Sequence, residues 1–202
     1  MTYVVATQLR PSSRAAFIDV IGSMIRPKLE AAGADYVVVQ ESVSSGSQTG
    51  MFTVGSRWGS VDQGLAGLAG FYADPEVAAF LVDNPVDVAF RGTGVVDAER
   101  GNPNGTFTVV LSALMSNYDA SSADAFYDDV HAILNDAGVN GIRMIRWIAA
   151  GELSGSWAAL FYTDSIDAYM AGFNALYADA SIVSRMGSYG FSPLSRSISV
   201  NH

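Results

Sequence analysis

The chain of 202 residues has no cysteine, and this excludes disulfides, thiol catalysis and thiolate metal sites. Histidine is nearly absent too, since His131 and His202 are the only two, too far apart for metal-ligand spacing. There is one lysine, Lys28, and the formal net charge is −9. An acidic surface without a basic cluster opposes nucleic-acid binding, which depends on neutralising phosphates. It also opposes adhesion to anionic membranes. No apolar run approaches the ~18 residues of a membrane span. The opening MTYVVATQLR alternates and has no basic n-region, so it reads as a strand, not a signal peptide, and a cytoplasmic protein is expected. Nucleotide and hydrolase motifs are missing: GLAGLAG is not G-x-G-x-x-G, RGTGVVD has no helix after it, and no Walker loop, H-E-x-x-H or G-x-S-x-G occurs.

What is present is half hydrophobic and only 15% charged, the composition of a well-buried globular chain. It is also repeated. SVDQGLAGLAGFYAD at Ser60 returns as SIDAYMAGFNALYAD at Ser165. A gapless shift of 105 positions aligns the halves, with about 19 identities in about 96 pairs. It sets Val4-Val5 on Val109-Val110, Ala32-Gly33 on Ala137-Gly138, and Arg91 on Arg196. The turn-forming DAERGNPNGT marks the junction. The expected units are a first repeat at 1–97, a linker at 98–106 and a second repeat at 107–202.

Each copy has the same order of elements. VVATQLR alternates and is rich in strand formers. A helix follows, with Phe17, Ile21, Met24, Ile25 and Leu29 at helical spacing in the first copy and Phe126, Val130, Ile133 and Leu134 in the second. Pro27 is expected to kink the first of these, and Gly33 and Gly138 to end them. Two strands follow as a hairpin, YVVVQESV with MFTVGSRW and IRMIRWIA with SWAALFYT. The repeated phrase then makes a helix, with Ser60 and Gln63 at capping-box spacing. Its expected buried stripe is Val61, Leu65, Leu68 and Tyr72, matched by Ile166, Met170, Phe173 and Tyr177. Asp74-Pro75 starts a short helix, and VAFRGTGVV or LSRSISV closes the copy as a strand. This is β-α-β-β-α-β twice, an α+β chain of two tandem ferredoxin-like units. The strands lack a clean polar face, so the two units are expected to pack sheet to sheet as an intramolecular pseudo-dimeric α+β barrel.

The duplicated unit, with the strand-Trp-helix passage RWGSVDQGLAG, resembles the dimeric α+β barrel superfamily, which includes antibiotic biosynthesis monooxygenases, stress-responsive barrel proteins and muconolactone isomerases. The resemblance implies a central ligand cavity. It also implies that Trp, Tyr and Arg serve cofactor-independent oxygenation, as they do in some members. Many members carry a histidine near position 67, where this chain has Gly67 in one copy and Gly172 in the other. A lone histidine binds haem in some barrel relatives, but His131 reads as a solvated helix-flank residue beside Asp128.

The candidate site residues follow from alternation. Arg91 and Arg196 lie on a mostly apolar face of each last strand, where a guanidinium can bind a carboxylate, enolate or phenolate, or form a structural ion pair. In the second strand of each copy, the more apolar face is assigned to the helices. That sends Tyr36, Gln40, Arg143 and Trp147 to the lumen. Trp58, Trp157, Tyr72 and Tyr177 are wall candidates for an aromatic ligand, or core. The expected catalytic set is Arg91, Arg196 and Trp58; the expected ligand contacts are Tyr36, Gln40, Tyr72, Arg143, Trp147 and Tyr177. The expected partner is a small hydrophobic or aromatic molecule, with no cofactor, metal, nucleic acid or membrane. Further homodimerisation is left open. The expected function is a small-molecule-binding barrel, acting as a cofactor-independent monooxygenase or isomerase on an aromatic or polyketide-like compound. The alternative is a non-catalytic ligand-binding or structural barrel.

Overall fold

Alternating β-formers make strand β1 (Thr2–Pro11), and Ser13 then caps helix α1 (Arg14–Asp19) by accepting the Ala16 N–H. The computed structural model describes residues 1–202. After α1 come a π turn (Ile21–Ile25), α2 (Arg26–Ala31), β2 (Tyr36–Ser44), β3 (Phe52–Trp58), α3 (Val61–Ala73), α4 (Pro75–Asp83) and β4 (Val86–Gly101). The second copy runs β5 (Phe107–Met115), α5 (Ala120–Asp136), β6 (Val139–Ala149), β7 (Trp157–Thr163), α6 (Ile166–Ala178), α7 (Ala180–Ser188) and β8 (Phe191–Asn201). No single helix is long and apolar enough to cross a membrane.

The eight strands form one closed antiparallel barrel in the order β1-β3-β2-β8-β5-β7-β6-β4. Each copy supplies a four-stranded sheet, and the two sheets join edge to edge as well as facing each other. At one seam Gln40, Glu41 and Ser42 pair with Asn201, Val200 and Ser199. At the other, Thr93 to Gly101 pair with Ala149 to Gly141. The two seams pair the edge strands of each copy over part of their length and so close the barrel. The helices cover the outside in two apolar layers, one around Phe17, Leu29, Phe52 and Trp58, the other around Phe126, Leu134, Phe161 and Tyr169.

The structural repeat is not a single shift of 105. Tyr3 pairs with Trp58, whereas Phe107 pairs with Thr163, so β1 and β5 correspond with a shift of 104. Setting Val4 on Val109 therefore reverses faces: Val4 packs in the lumen and Val109 under the helices. A one-residue slip in a strand always has this effect. The register returns to 105 by Gly33 and Gly138, both helix-ending glycines with positive φ. The connection from β5 to Asp119 is two residues longer than that from β1 to Ser13, and the first helix gives one residue back, since Ser13 to Gly33 spans one residue more than Asp119 to Gly138. The π turn takes it up, with Ile25 N–H donating to Val20 O at 2.9 Å. The helix is interrupted there, and Pro27 sits in the first turn of α2.

Two further expectations change. β4 continues to Gly101, so residues 98–101 belong to the seam and only 102–106 connect the copies. In addition, α3 is rotated relative to the stripe read from its apolar side chains. Leu65 is 52% exposed, while Gly64 and Gly67 are buried with Leu68. In α6 the buried set is Tyr169, Gly172, Phe173 and Leu176, with Met170 and Tyr177 exposed. In α3 the cause is Trp58, whose indole packs against Gly64 and Gly67, and in α6 Gly172 faces Ala137 and Leu134. A Cβ on Gly67 would stand 2.3 Å from Trp58 Cη2. The glycines of α3 thus let that helix approach the sheet.

A clasp holds the β2–β8 seam from outside. Arg14 donates to both oxygens of Glu41 at 2.7 and 2.8 Å, and His202 Nε2 lies 3.1 Å from Glu41 Oε2. Arg26 donates to the His202 carbonyl at 2.8 Å.

Gly67→Ala should destabilise by about 1–3 kcal/mol through overpacking against Trp58. Gly70→Ala, where a Cβ meets nothing within 4 Å, should stabilise by about 0.5–1 kcal/mol. Urea denaturation of both variants checks the pair. The hydrogen bonds from Arg14, opposed by burial, hold the Glu41 carboxyl below its ordinary value of 4.5. The clasp is therefore fully present above about pH 4.5 and is lost as pH falls through the lower folded value. Glu41→Gln should flatten the acid limb of a stability–pH profile while leaving its shape above neutrality unchanged.

Candidate functional site in the barrel lumen

The strand faces that point away from the helices enclose a cavity of about 610 Å³, within the range of small-molecule sites. At the end carrying the β2–β3 and β6–β7 hairpins, its lining residues Ser47, Gln48, Leu153 and Leu194 are exposed, so the lumen opens there. At the other end its lining includes Arg143, which is only 2% exposed. The connection between copies lies over that end, and Tyr36 Oη donates to Pro103 O at 2.8 Å.

The walls differ. Val4, Ile145, Trp147, Ala158, Leu160 and Tyr162 form one apolar cluster, with Phe90 edge-on to Trp147 at 5.5 Å between centroids. Gln40, Ser42 and Thr53 from the first copy and Ser195, Ser197 and Ser199 of β8 are polar. Alternate serines along β8 put a row of hydroxyls down one side of the lumen.

The closed end is built around Arg143. Its guanidinium lies over the Tyr36 ring at 4.5 Å and the Tyr162 ring at 5.6 Å. Its Nε donates to Glu99, which also pairs with Arg57 Nη1 at 3.2 Å. Arg57 in turn donates to Asp35 at 2.8 Å. Glu99 is thus shared by two arginines. Arg143 Nη2 is buried without a partner, and so are Tyr162 Oη and Gln40 Nε2. Burial raises the Tyr36 phenol above its ordinary pKa despite the opposing Arg143 charge, and burial likewise pushes up Tyr162. Both phenols stay neutral and can donate hydrogen bonds near neutral pH.

Of the expected site residues, the structure places Tyr36, Gln40, Arg143 and Trp147 on the lumen wall. It places the other five elsewhere. Arg91 donates to Thr7 Oγ1 at 3.1 Å and to Tyr72 Oη at 2.7 Å, on the helix-covered outer face. Arg196 lies over the Phe173 ring of α6 at 3.9 Å. Trp58 is wholly buried under α3, donating from Nε1 to Ser56 Oγ. Tyr72 is held by Arg91, and Tyr177 is 47% exposed on α6. The apolar face shared by Arg91 and Arg196 is the face that meets helices, and a long cationic stem packs well over aromatic rings there. Trp157 is outer core as well, with Nε1 directed to Asp97 at 3.3 Å.

Three residues of the closed end escaped sequence reasoning. Glu99 stands in DAERG, whose turn formers suggested linker. Arg57 alternates with Gly55 and Thr53 in β3, a signal that was available. Tyr162 was hidden because both faces of β7 are apolar. The residues do not fit a haem: His131 is on α5, its Nε2 buried near Gly101, and neither main cavity includes it. No group of three or more metal-ligating side chains occurs.

No protein-family model matches the chain, and no curated protein matches it in sequence. Solved structures do match in fold. An anthrone oxidase-like protein is 14% identical with a TM-score of 0.53, over 100% of this chain and 92% of that one. A Lactobacillus acidophilus protein provisionally named a monooxygenase is 10% identical with a TM-score of 0.59, over 100% and 93%. A chlorite dismutase variant from Candidatus Nitrospira defluvii, in complex with cyanide, is 10% identical with a TM-score of 0.62, over 100% and 90%. At such identities the likeness establishes the fold.

Glu99→Gln should destabilise by about 3 kcal/mol, because it leaves a buried arginine uncompensated. Arg91→Gln, on the outer face, should cost about 1 kcal/mol or less. Thermal denaturation of the two variants measures the contrast.

Proposed function

We propose, for a chain with the fold of the dimeric α+β barrel superfamily, that the lumen binds a small aromatic or polyketide-like molecule and acts on it as a cofactor-independent monooxygenase. The observation that carries this reading is the Arg143 guanidinium, buried at the closed end of a largely apolar cavity with only its Nε engaged. Free guanidinium N–H groups suit an ionised oxygen, and in a dry site they favour the phenolate or enolate over its neutral form. Trp147, Phe90, Ile145 and Leu160 offer flat apolar surface to the ring. The names carried by two structural neighbours, an anthrone oxidase-like protein and a provisional monooxygenase, are consistent with this reading.

The chemistry uses dioxygen as the only oxidant. The substrate ionises at a ring carbon bearing two hydrogens, and that carbon, then carrying one, donates electron density and bonds to one oxygen of O₂. One hydrogen leaves as the proton lost on ionisation. The reduced peroxide takes up a proton, and loss of water with the second hydrogen leaves a carbonyl. One oxygen atom enters the product and the other leaves as water. The protein holds the ionised form and orients it at the closed end of the lumen. Glu99 is committed to two arginines, so the ionisation proton passes to solvent. Isomerisation, which needs a base to lift and return a proton, is less well served here. The same lack of a free base favours one second reading, retention of the ligand without turnover.

Oxygen consumption with anthrones, which carry a ring carbon bearing two hydrogens, tests the two readings. The expected result is protein-dependent uptake of one O₂ per substrate, rising with pH as the substrate ionises. Arg143→Met should lower kcat/KM by about 100-fold or more, with the circular dichroism spectrum unchanged. Quenching of Trp147 without uptake would establish the binding reading. Neither quenching nor uptake would exclude both.

A further inference from the structure

Gln40 is 4% exposed and lines the lumen, yet its carboxamide makes no hydrogen bond and its Nε2 is buried without a partner. A buried unpaired amide is costly to keep, and one placed in a cavity is satisfied when a ligand supplies the missing group. We infer that Gln40 is a second polar anchor, and that the ligand carries an oxygen acceptor at a distance from its ionised oxygen. The inference rests on the reading of Arg143 as the anchor of that ionised oxygen.

The spacing follows from strand geometry. Tyr36 and Gln40 are four residues apart on the lumen face of β2, roughly 13 Å along the strand. The Arg143 guanidinium lies over the Tyr36 ring. With side-chain reach included, the two anchors are separated by on the order of 10 Å. A fused bicyclic or tricyclic scaffold with oxygens at opposite ends bridges them, and the wall of Ile145, Trp147 and Leu160 would cover its ring faces.

The copies also differ at these anchors. The partner of Gln40 in the other repeat is Ile145, that of Tyr36 is Gly141, and that of Arg143 is Val38. The lumen of a symmetric barrel would present every anchor twice. Here each occurs once, so the two ends of the ligand are distinguished and one orientation is selected.

Two probes test this by isothermal titration calorimetry: 2-naphthoate, which supplies an anion alone, and 6-acetyl-2-naphthoate, which adds a distal carbonyl. The wild-type protein is expected to bind the acetyl compound about five- to tenfold more tightly. Gln40→Leu should abolish that ratio while keeping the affinity for 2-naphthoate, and its stability should equal or exceed the wild type because an unpaired amide is removed. Arg143→Met should weaken both probes. Equal binding of the two by wild type, or a ratio that survives in Gln40→Leu, overturns the role of Gln40 and leaves the Arg143 reading standing. Failure of both probes to bind wild type overturns the Arg143 reading and this inference with it.

Discussion

Every other feature depends on the hydrogen-bonded closure of the two repeats at β2–β8 and β4–β6. A four-stranded sheet alone has two edges of unpaired N–H and C=O groups and a second face without helices. Joining the sheets edge to edge satisfies the backbone and buries the bare faces in one step. Because the copies share a chain, this association is intramolecular and does not depend on protein concentration. An eight-stranded barrel has an interior wide enough for side chains or for one small ligand. Here glycine, serine and alanine occupy many inward positions, and a cavity remains.

The two units share their scaffold and differ in the interior. Ser60 and Ser165 cap α3 and α6 alike, and Asp74 and Asp179 cap α4 and α7. Gly33 and Gly138 end the first helices with the same left-handed backbone. Inside the barrel the correspondence fails, with a hydroxyl and amide side built largely from β2 and β8 and an apolar side from β6 and β7. Arg143 is the extreme case. Its desolvation is offset by Glu99 and by the π faces of Tyr36 and Tyr162. The two nitrogens left over give the lumen its chemical bias.

The element order, the caps and the lumen-facing side of β2 and β6 were legible, because alternation and capping are local. Arg91 and Arg196 show the limit. Alternation sorts a strand into two faces, but when helices cover one face and a cavity the other, both are apolar and neither is marked as inside. Trp58 shows a different limit. Its fit under α3 needs Gly64 and Gly67, and a stripe read from apolar side chains has no signal for the places where a side chain is missing. Glu99 was masked by its turn-forming neighbours, since only pairing with Arg143 across the seam extends β4 that far.

The sequence by itself determined a duplicated β-α-β-β-α-β chain, its helix boundaries and a covered sheet, because periodicity and turn chemistry act over a few residues. Only the tertiary structure decided that Arg91 and Arg196 lie outside the lumen, that Tyr162 joins Tyr36 beside Arg143, and where the repeat slips. Those outcomes depend on cross-strand register between β4 and β6 and on the one-residue offset of β1 against β5. Register is set by contacts between segments far apart in the chain, so no local pattern carries it.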